Sequence, residues 1–152
     1  MTTSIASIEL FHTGIVVDDV DAAKAEVTDA LGVAWGPEGE ADMPVWLPEG
    51  PSSITFRYAY SDLGPHRLEL VRRIPDTLWT VAGSGHAHHL GHWCADVPGV
   101  SKELEQRGLP LVAKVGVDTA TAPAPIVYHQ AKNGFYIELI DVALRSAMFE
   151  ED

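Results

Sequence analysis

The chain contains a rough copy of itself. HTGIVVDDVDAA, starting at His12, aligns with HLGHWCADVPGV, starting at His89, so that histidine meets histidine, Gly14 meets Gly91 and Asp19-Val20 meets Asp96-Val97. A duplication limits the fold more than any single motif does, because each copy has to form the same supersecondary unit and the two have to bury a shared face. In each copy a strand-like run stops at an acidic turn and a helical stretch follows, Asp21 to Leu31 in the first and Val100 to Arg107 in the second. Gly32 and Gly108 then stand where a left-handed helix C-cap is expected.

After its helix each half reads as strands broken by turn residues. The expected strands are Val33 to Trp35, Ser53 to Tyr60 and His66 to Arg73 in the first half, and Leu111 to Val117, Ile126 to Gln130 and Phe135 to Val142 in the second, where Lys132-Asn133-Gly134 signals a hairpin. Residues 36–52, rich in proline and glycine, read as a long loop. Residues 75–86 contain glycine, lack periodicity and read as a linker between a first module at about 8–74 and a second at about 87–143. The acidic end, residues 147–152, is expected to fray.

Side chains on a strand alternate between faces, so His12, Gly14 and Val16 share one side of the first strand, as His89, Gly91 and Trp93 do on its copy. The last strand of each half carries a glutamate between apolar residues, RLELV around Glu69 and YIELI around Glu138. If the apolar flanks pack under the helices, both glutamates look the other way. A lone strand histidine is more often a hydrogen-bonded structural residue than a ligand, and a lone glutamate of this kind is usually at the surface of a half-wet sheet. Four such residues at equivalent positions of two copies are a different matter, since a pseudo-twofold axis brings all of them to one point. His12, Glu69, His89 and Glu138 are therefore the candidate ligands of one divalent metal ion. Two imidazoles and two carboxylates suit Zn²⁺, Ni²⁺, Co²⁺, Mn²⁺ or Fe²⁺ alike.

Composition narrows the partners. The 152 residues carry 46% apolar and 21% charged side chains, and no run approaches the roughly 20 apolar residues of a membrane helix. One domain without a membrane span is expected. The formal net charge of −12 opposes nucleic-acid binding, which depends on cationic side chains displacing counterions from phosphates. The single cysteine, Cys94, cannot form an internal disulfide, and the amino-terminal residues lack a signal-like basic and apolar segment; the expected compartment is the cytoplasm.

With these residues in place, HHLGHWCADV and YHQAKNGFYIELID above all, the chain resembles the vicinal oxygen chelate superfamily, the glyoxalase, bleomycin-resistance and extradiol dioxygenase group, from about Leu10 to about Val142. The resemblance implies an α+β fold of two paired βαβββ modules, forming a U-shaped mixed-sheet half barrel with helices outside and metal ligands on the first and last strand of each module. FHTGIVVDDVDAAKAEV is most similar to methylmalonyl-CoA epimerase and nearby glyoxalase-like proteins, although that epimerase generally has Gln where Glu69 stands. Extradiol dioxygenases bind iron through two His and one Glu, so a fourth ligand at Glu69 would occupy a position that catechol or oxygen needs.

A divalent metal beside a carbonyl stabilises the charge left when a neighbouring C–H loses its proton. The leading expectation is thus a metal-dependent isomerase, epimerase or lyase acting on a small oxygenated metabolite, with Glu138 as base and Glu69 as ligand or second base. The alternatives are a drug-resistance type of binding protein without turnover and an iron-dependent ring-cleaving dioxygenase. His129, just before the hairpin, is a candidate for the catalytic pocket. Arg57 and Arg67 are candidates for substrate binding by charge and Trp93 by ring stacking, while Trp35, Trp46 and Trp79 are expected in core or interface. His86, His88 and His92 are read as structural neighbours of His89. A homodimer is expected because half barrels of this family often pair.

Overall fold

A computed structural model describes residues 8–62, 64–80, 87–132 and 134–149; His86 and the end of the acidic tail lie outside them. Strand β1 (Ile8–Val17) leads into helix α1 (Val20–Leu31), followed by β2 (Trp35–Leu47), β3 (Gly50–Ser61) and β4 (Arg67–Arg72). The second set is β5 (His89–Cys94), α2 (Val97–Gln106), β6 (Leu111–Val115), β7 (Ile126–Gln130) and β8 (Tyr136–Asp141), after which a 3-10 turn at Val142–Leu144 and α3 (Arg145–Phe149) follow.

The aspartates matched in the duplication begin the two long helices. Asp19 accepts from the Ala22 amide and Asp96 from the Gly99 amide, each filling an orphan donor of the first turn. Gly32 closes α1 in the left-handed conformation at φ 70, and Gly108 follows α2 at φ 89. Helix α2 starts three residues earlier than the sequence suggests, since Pro98 in its first turn needs no amide partner there.

The sheet is mixed and closes on itself in the order β1-β4-β3-β2-β6-β7-β8-β5. A half barrel was expected, and residues 36–52 are the reason for the difference. Most of that presumed loop is strand: β2 pairs antiparallel with β3 from Trp35 to Leu47 and crosses to β6 at Val45↔Val115 and Trp46↔Lys114. Pro37 is accommodated because it falls in the irregularity between Trp35 and Glu38, where the pairing with β3 is interrupted. The opposite seam is the antiparallel pairing of β1 with β5. Strands from before and after residues 75–86 thus occupy two separate arcs of one barrel.

The outer face of the sheet holds the helices. Leu70 packs with Val20 and Ala59 beneath α1, and Leu139 packs with Val97, Val100 and Leu104 of α2. Truncating a fully buried side chain such as Leu139 to alanine costs about 2–5 kcal/mol. Residues 147–149 do not fray, because Met148 and Phe149 pack against Phe11, Tyr60, Trp93 and Ile140.

Candidate functional site

Glu69 lies between Leu68 and Leu70, and Glu138 between Ile137 and Leu139; with the apolar residues turned to the helices, both carboxylates face the barrel interior. The seam between β1 and β5 delivers the histidines. Its register sets His12 opposite Gly91 and Gly14 opposite His89, so each imidazole projects over the other strand's glycine. A Cβ at Gly91 would stand 1.9 Å from the His12 ring, and one at Gly14 would stand 2.0 Å from the His89 ring. The glycines shared by the two copies are therefore the spaces that the two rings fill.

One nitrogen or oxygen from each of His12, Glu69, His89 and Glu138 lies within 4.8 Å of the others, and all four residues are buried. His12 Nε2 is 3.1 Å from His89 Nε2, 3.0 Å from Glu138 Oε1 and 3.4 Å from Glu69 Oε1. His89 Nε2 is 2.9 Å from Glu69 Oε1 and 3.3 Å from Glu138 Oε1. Ligands bound to one ion at about 2.0–2.2 Å stand about 3.0–3.4 Å apart along the edges of their polyhedron, so the observed spacings fit such a cluster.

Proton accounting points the same way. His88 Nε2 donates to the Leu78 carbonyl at 2.6 Å, and burial followed by the neighbouring His89 pushes the His88 pKa down to about 4. A neutral ring that uses its proton at Nε2 has a bare Nδ1, which accepts at 2.8 Å from His89 Nδ1. His89 then directs a lone pair from Nε2 into the cluster. Burial opposes a charge on His12, but Glu69 and Glu138 outweigh it and raise its pKa to about 9; Glu69 in turn, despite burial, is held below the usual carboxylate range by the two histidines. His12 Nε2 thus has three cluster atoms within 3.4 Å, while among the described residues His12 Nδ1 is buried without a hydrogen bond and Glu138 Oε1 has only ion-pair contacts with the two imidazoles. A divalent cation would satisfy all four inward atoms at once.

The cluster borders a cavity of about 250 Å³ inside the barrel, walled by β2, β3 and β4 on one side and β6, β7 and β8 on the other. Tyr60 lies opposite Glu69 in the β3–β4 pairing and Tyr128 opposite Glu138 in the β7–β8 pairing, so the duplication extends to a tyrosine beside each carboxylate. Burial, reinforced by the two glutamates, pushes both hydroxyls well above their usual pKa, so both remain protonated donors facing the cavity.

His129, expected in the pocket, does not join this group. It pairs across the hairpin with Ile137, so it shares that residue's outward face and bonds at 2.7 Å to Ser101 Oγ and at 2.8 Å to the Leu109 carbonyl. The inward residue is its neighbour Tyr128. Counting pairs back from the Lys132-Asn133-Gly134 turn to Glu138 would have found it. Arg57 also points outward, toward Asp21 and Glu38 at 2.8 and 3.0 Å, because the inward residues of β3 are Phe56 and Tyr58. Arg67 shares the face of Glu69, but its guanidinium lies 4.1 Å over the Phe149 ring and donates to the Ser61 carbonyl. Trp93 stacks on Phe11 at 3.9 Å and is covered by Phe149. Trp79, expected in core or interface, is fully buried in the core and also lines the cavity. His92 donates from Nδ1 to the Glu138 carbonyl, tying β5 to β8.

A family model described as the Glyoxalase/Bleomycin resistance protein/Dioxygenase superfamily matches residues 11–128. The chain belongs to this superfamily. Methylmalonyl-CoA epimerase from Mycobacterium tuberculosis superposes with a TM-score of 0.57 at 22% identity, covering 91% of this chain and 90% of that one. A variant of the Streptomyces coelicolor methylmalonyl-CoA epimerase bound to 2-nitronate-propionyl-CoA gives 0.61 at 19%, covering 89% and 94%. A variant of 4-hydroxymandelate synthase from Streptomyces coelicolor gives 0.58 at 18%, covering 88% of this chain but 38% of that one. These likenesses establish the fold, which carries different chemistries in the superfamily. No curated protein matches the sequence significantly. No helix among the described residues is long and apolar enough to cross a membrane.

Proposed function

We propose that this superfamily member is a metal-dependent isomerase or epimerase that moves a proton on a carbon next to a carbonyl. The observation that carries this reading is the convergence of two imidazoles and two carboxylates, all buried, at the wall of an interior cavity. His12, Glu69, His89 and Glu138 would hold one divalent ion, which when bound supplies positive charge for a substrate oxygen.

Within this scheme Glu138 is the base. Its Oε1 has only ion-pair contacts with the two imidazoles, whereas Glu69 Oε1 is hydrogen-bonded with His89 at 2.9 Å, so Glu138 is the less restrained of the two carboxylates. Glu69 is the second ligand and the candidate for returning a proton from the opposite wall. Tyr60 and Tyr128 donate to oxygens that gain charge as the proton leaves, and the apolar walls exclude water from the exchange. The four-residue set favours proton transfer over ring cleavage, since a dioxygenase would need one of those positions for catechol or oxygen. The epimerase likeness of the fold supports the same choice. A lyase would use the same base and stands behind it.

Metal analysis and isotope exchange test the proposal together. Mass spectrometry of the purified protein should find about one divalent ion per chain, and His12→Ala should lose it while keeping the far-ultraviolet spectrum of the folded chain. Glu138→Gln, if it retains metal, should stop deuterium uptake from D₂O at carbons next to the carbonyl in a panel of small ketones and esters. Stoichiometric metal in both His12→Ala and Glu138→Ala would end the ligand assignment. Full exchange in Glu138→Gln would end its role as base. A binding protein without turnover would show no exchange in the parent protein either.

A further inference from the structure

The cavity beside the four-residue cluster has a wall that selects by charge. Met43, Phe56, Tyr58, Val71, Trp79 and Ile126 are among the residues that line it, and among the described residues the charged groups reaching it are Glu69 and Glu138. The cationic side chains of the neighbouring strands are engaged elsewhere. Arg57 faces outward to Asp21 and Glu38, Lys114 donates to the carbonyls of Ala120 and Ala122, and Arg67 lies over Phe149. With two neutral imidazoles and two carboxylates, a bound divalent ion would bring the centre to zero net charge. An anion entering the cavity would therefore give up its hydration beside two carboxylates, with no protein cation among the described lining residues to offset them, inside a chain whose formal net charge is −12.

We infer that this site takes a neutral, largely apolar carbonyl compound, with an aryl or branched alkyl body against the Met43, Phe56 and Trp79 wall and its oxygen at the carboxylate end. Free carboxylates and acyl groups that carry a carboxylate are excluded. This sets the chain apart from the epimerases whose fold it shares, one of which is described with methylmalonyl-CoA bound. The inference rests on the cluster being the reaction centre, as proposed above, but concerns the wall and not the ion.

The test compares two probes that differ in charge. Binding of 2-acetylnaphthalene, a neutral aryl ketone, and of 2-naphthoate, the same ring carrying a carboxylate, is measured by isothermal titration calorimetry on metal-loaded and metal-free protein. The ketone should bind at least tenfold more tightly in both forms, and methylmalonyl-CoA at 1 mM, whose acyl group carries a carboxylate, should not displace it. Met43→Arg, which adds a cation at the half-buried rim, should weaken the ketone and tighten 2-naphthoate at least fivefold. Equal or tighter binding of 2-naphthoate by the parent protein would overturn the inference, as would displacement by methylmalonyl-CoA, no binding of either probe, or a folded Met43→Arg with unchanged affinities. Metal content of the same samples separates the two claims. Ketone preference without stoichiometric metal would sink the proposed reaction alone, whereas full metal occupancy with tight 2-naphthoate binding would sink the substrate class alone.

Discussion

The two halves bring equivalent candidate ligand atoms to one point but surround them differently. Behind His89 stands a hydrogen-bonded chain, from His89 Nδ1 to His88 Nδ1 and from His88 Nε2 to the Leu78 carbonyl, which fixes which nitrogen faces inward. Behind His12 no such partner stands among the described residues. Its Nδ1 is buried without a hydrogen bond, and the ring is held by edge contacts with Phe11 and Tyr60 at 4.4 and 5.3 Å. The helices differ in the same sense: α2 buries Val97, Val100, Ser101 and Leu104, whereas α1 buries only Val20. Duplication set the backbone positions of the ligands, while each half chose its own support. Ring packing holds His12 in place, and hydrogen bonding also assigns the tautomer of His89.

The largest effect should come from removing what the halves have in common. Gly14→Ala and Gly91→Ala each put a methyl group into the opposing imidazole, so metal affinity measured by chelator competition should fall at least about 100-fold. The thermal midpoint should drop by the equivalent of about 1–3 kcal/mol for an overpacked site. Near-normal affinity in either variant would break the picture of interlocked rings and spaces. Next in size is the asymmetry. His88→Leu removes the partner of His89 and should weaken metal binding by about 10–100-fold, the usual cost of losing such support. His88→Gln, which can still accept from His89, should recover part of the loss.

A third effect is read from pH. The raised pKa of His12 means that its contribution to stability is complete below its unfolded value of 6.5 and disappears as pH rises through about 9. The lowered pKa of Glu69 means that its contribution is complete above its unfolded value of 4.5 and is lost as pH falls. Metal-free protein should therefore be most stable between about pH 4.5 and 6.5, and should lose on the order of 2 kcal/mol by pH 9 in thermal melts. Metal-loaded protein should show the reverse alkaline trend, because binding requires His12 to release its proton. The smallest effect belongs to the outer surface. Arg57→Ala should cost about 0.2–1 kcal/mol through its ion pairs with Asp21 and Glu38, and should leave metal affinity unchanged.

How much of this could be read from the sequence follows from which signals are local. The histidines, the glycines two residues after them and the glutamates flanked by apolar residues recur in both copies, so their convergence followed from repetition and strand alternation. Strand β2 was missed because glycine and proline are scored as breakers, and nothing local says that 36–47 will be held straight by β3. His129 is suggested by its place before the hairpin, which does not fix the phase of its strand, and that phase turns Tyr128 inward. Arg57 is placed one residue out of phase, which is enough to reverse a strand's faces. The covering of Trp93 and Arg67 by Phe149 was out of reach, because it depends on a terminal helix folding back across the barrel.

At the seam of β1 and β5, each ring sits in a gap belonging to the other copy, and this has a consequence for the history of such a chain. After the duplication most positions were free to diverge, as the helices and the residues behind the rings did. Residues 12, 14, 89 and 91 were not, because enlarging either small residue evicts a ring from the far copy. Drift at one of these four sites has to be answered at its opposite number, so the two halves remain a single inherited unit there.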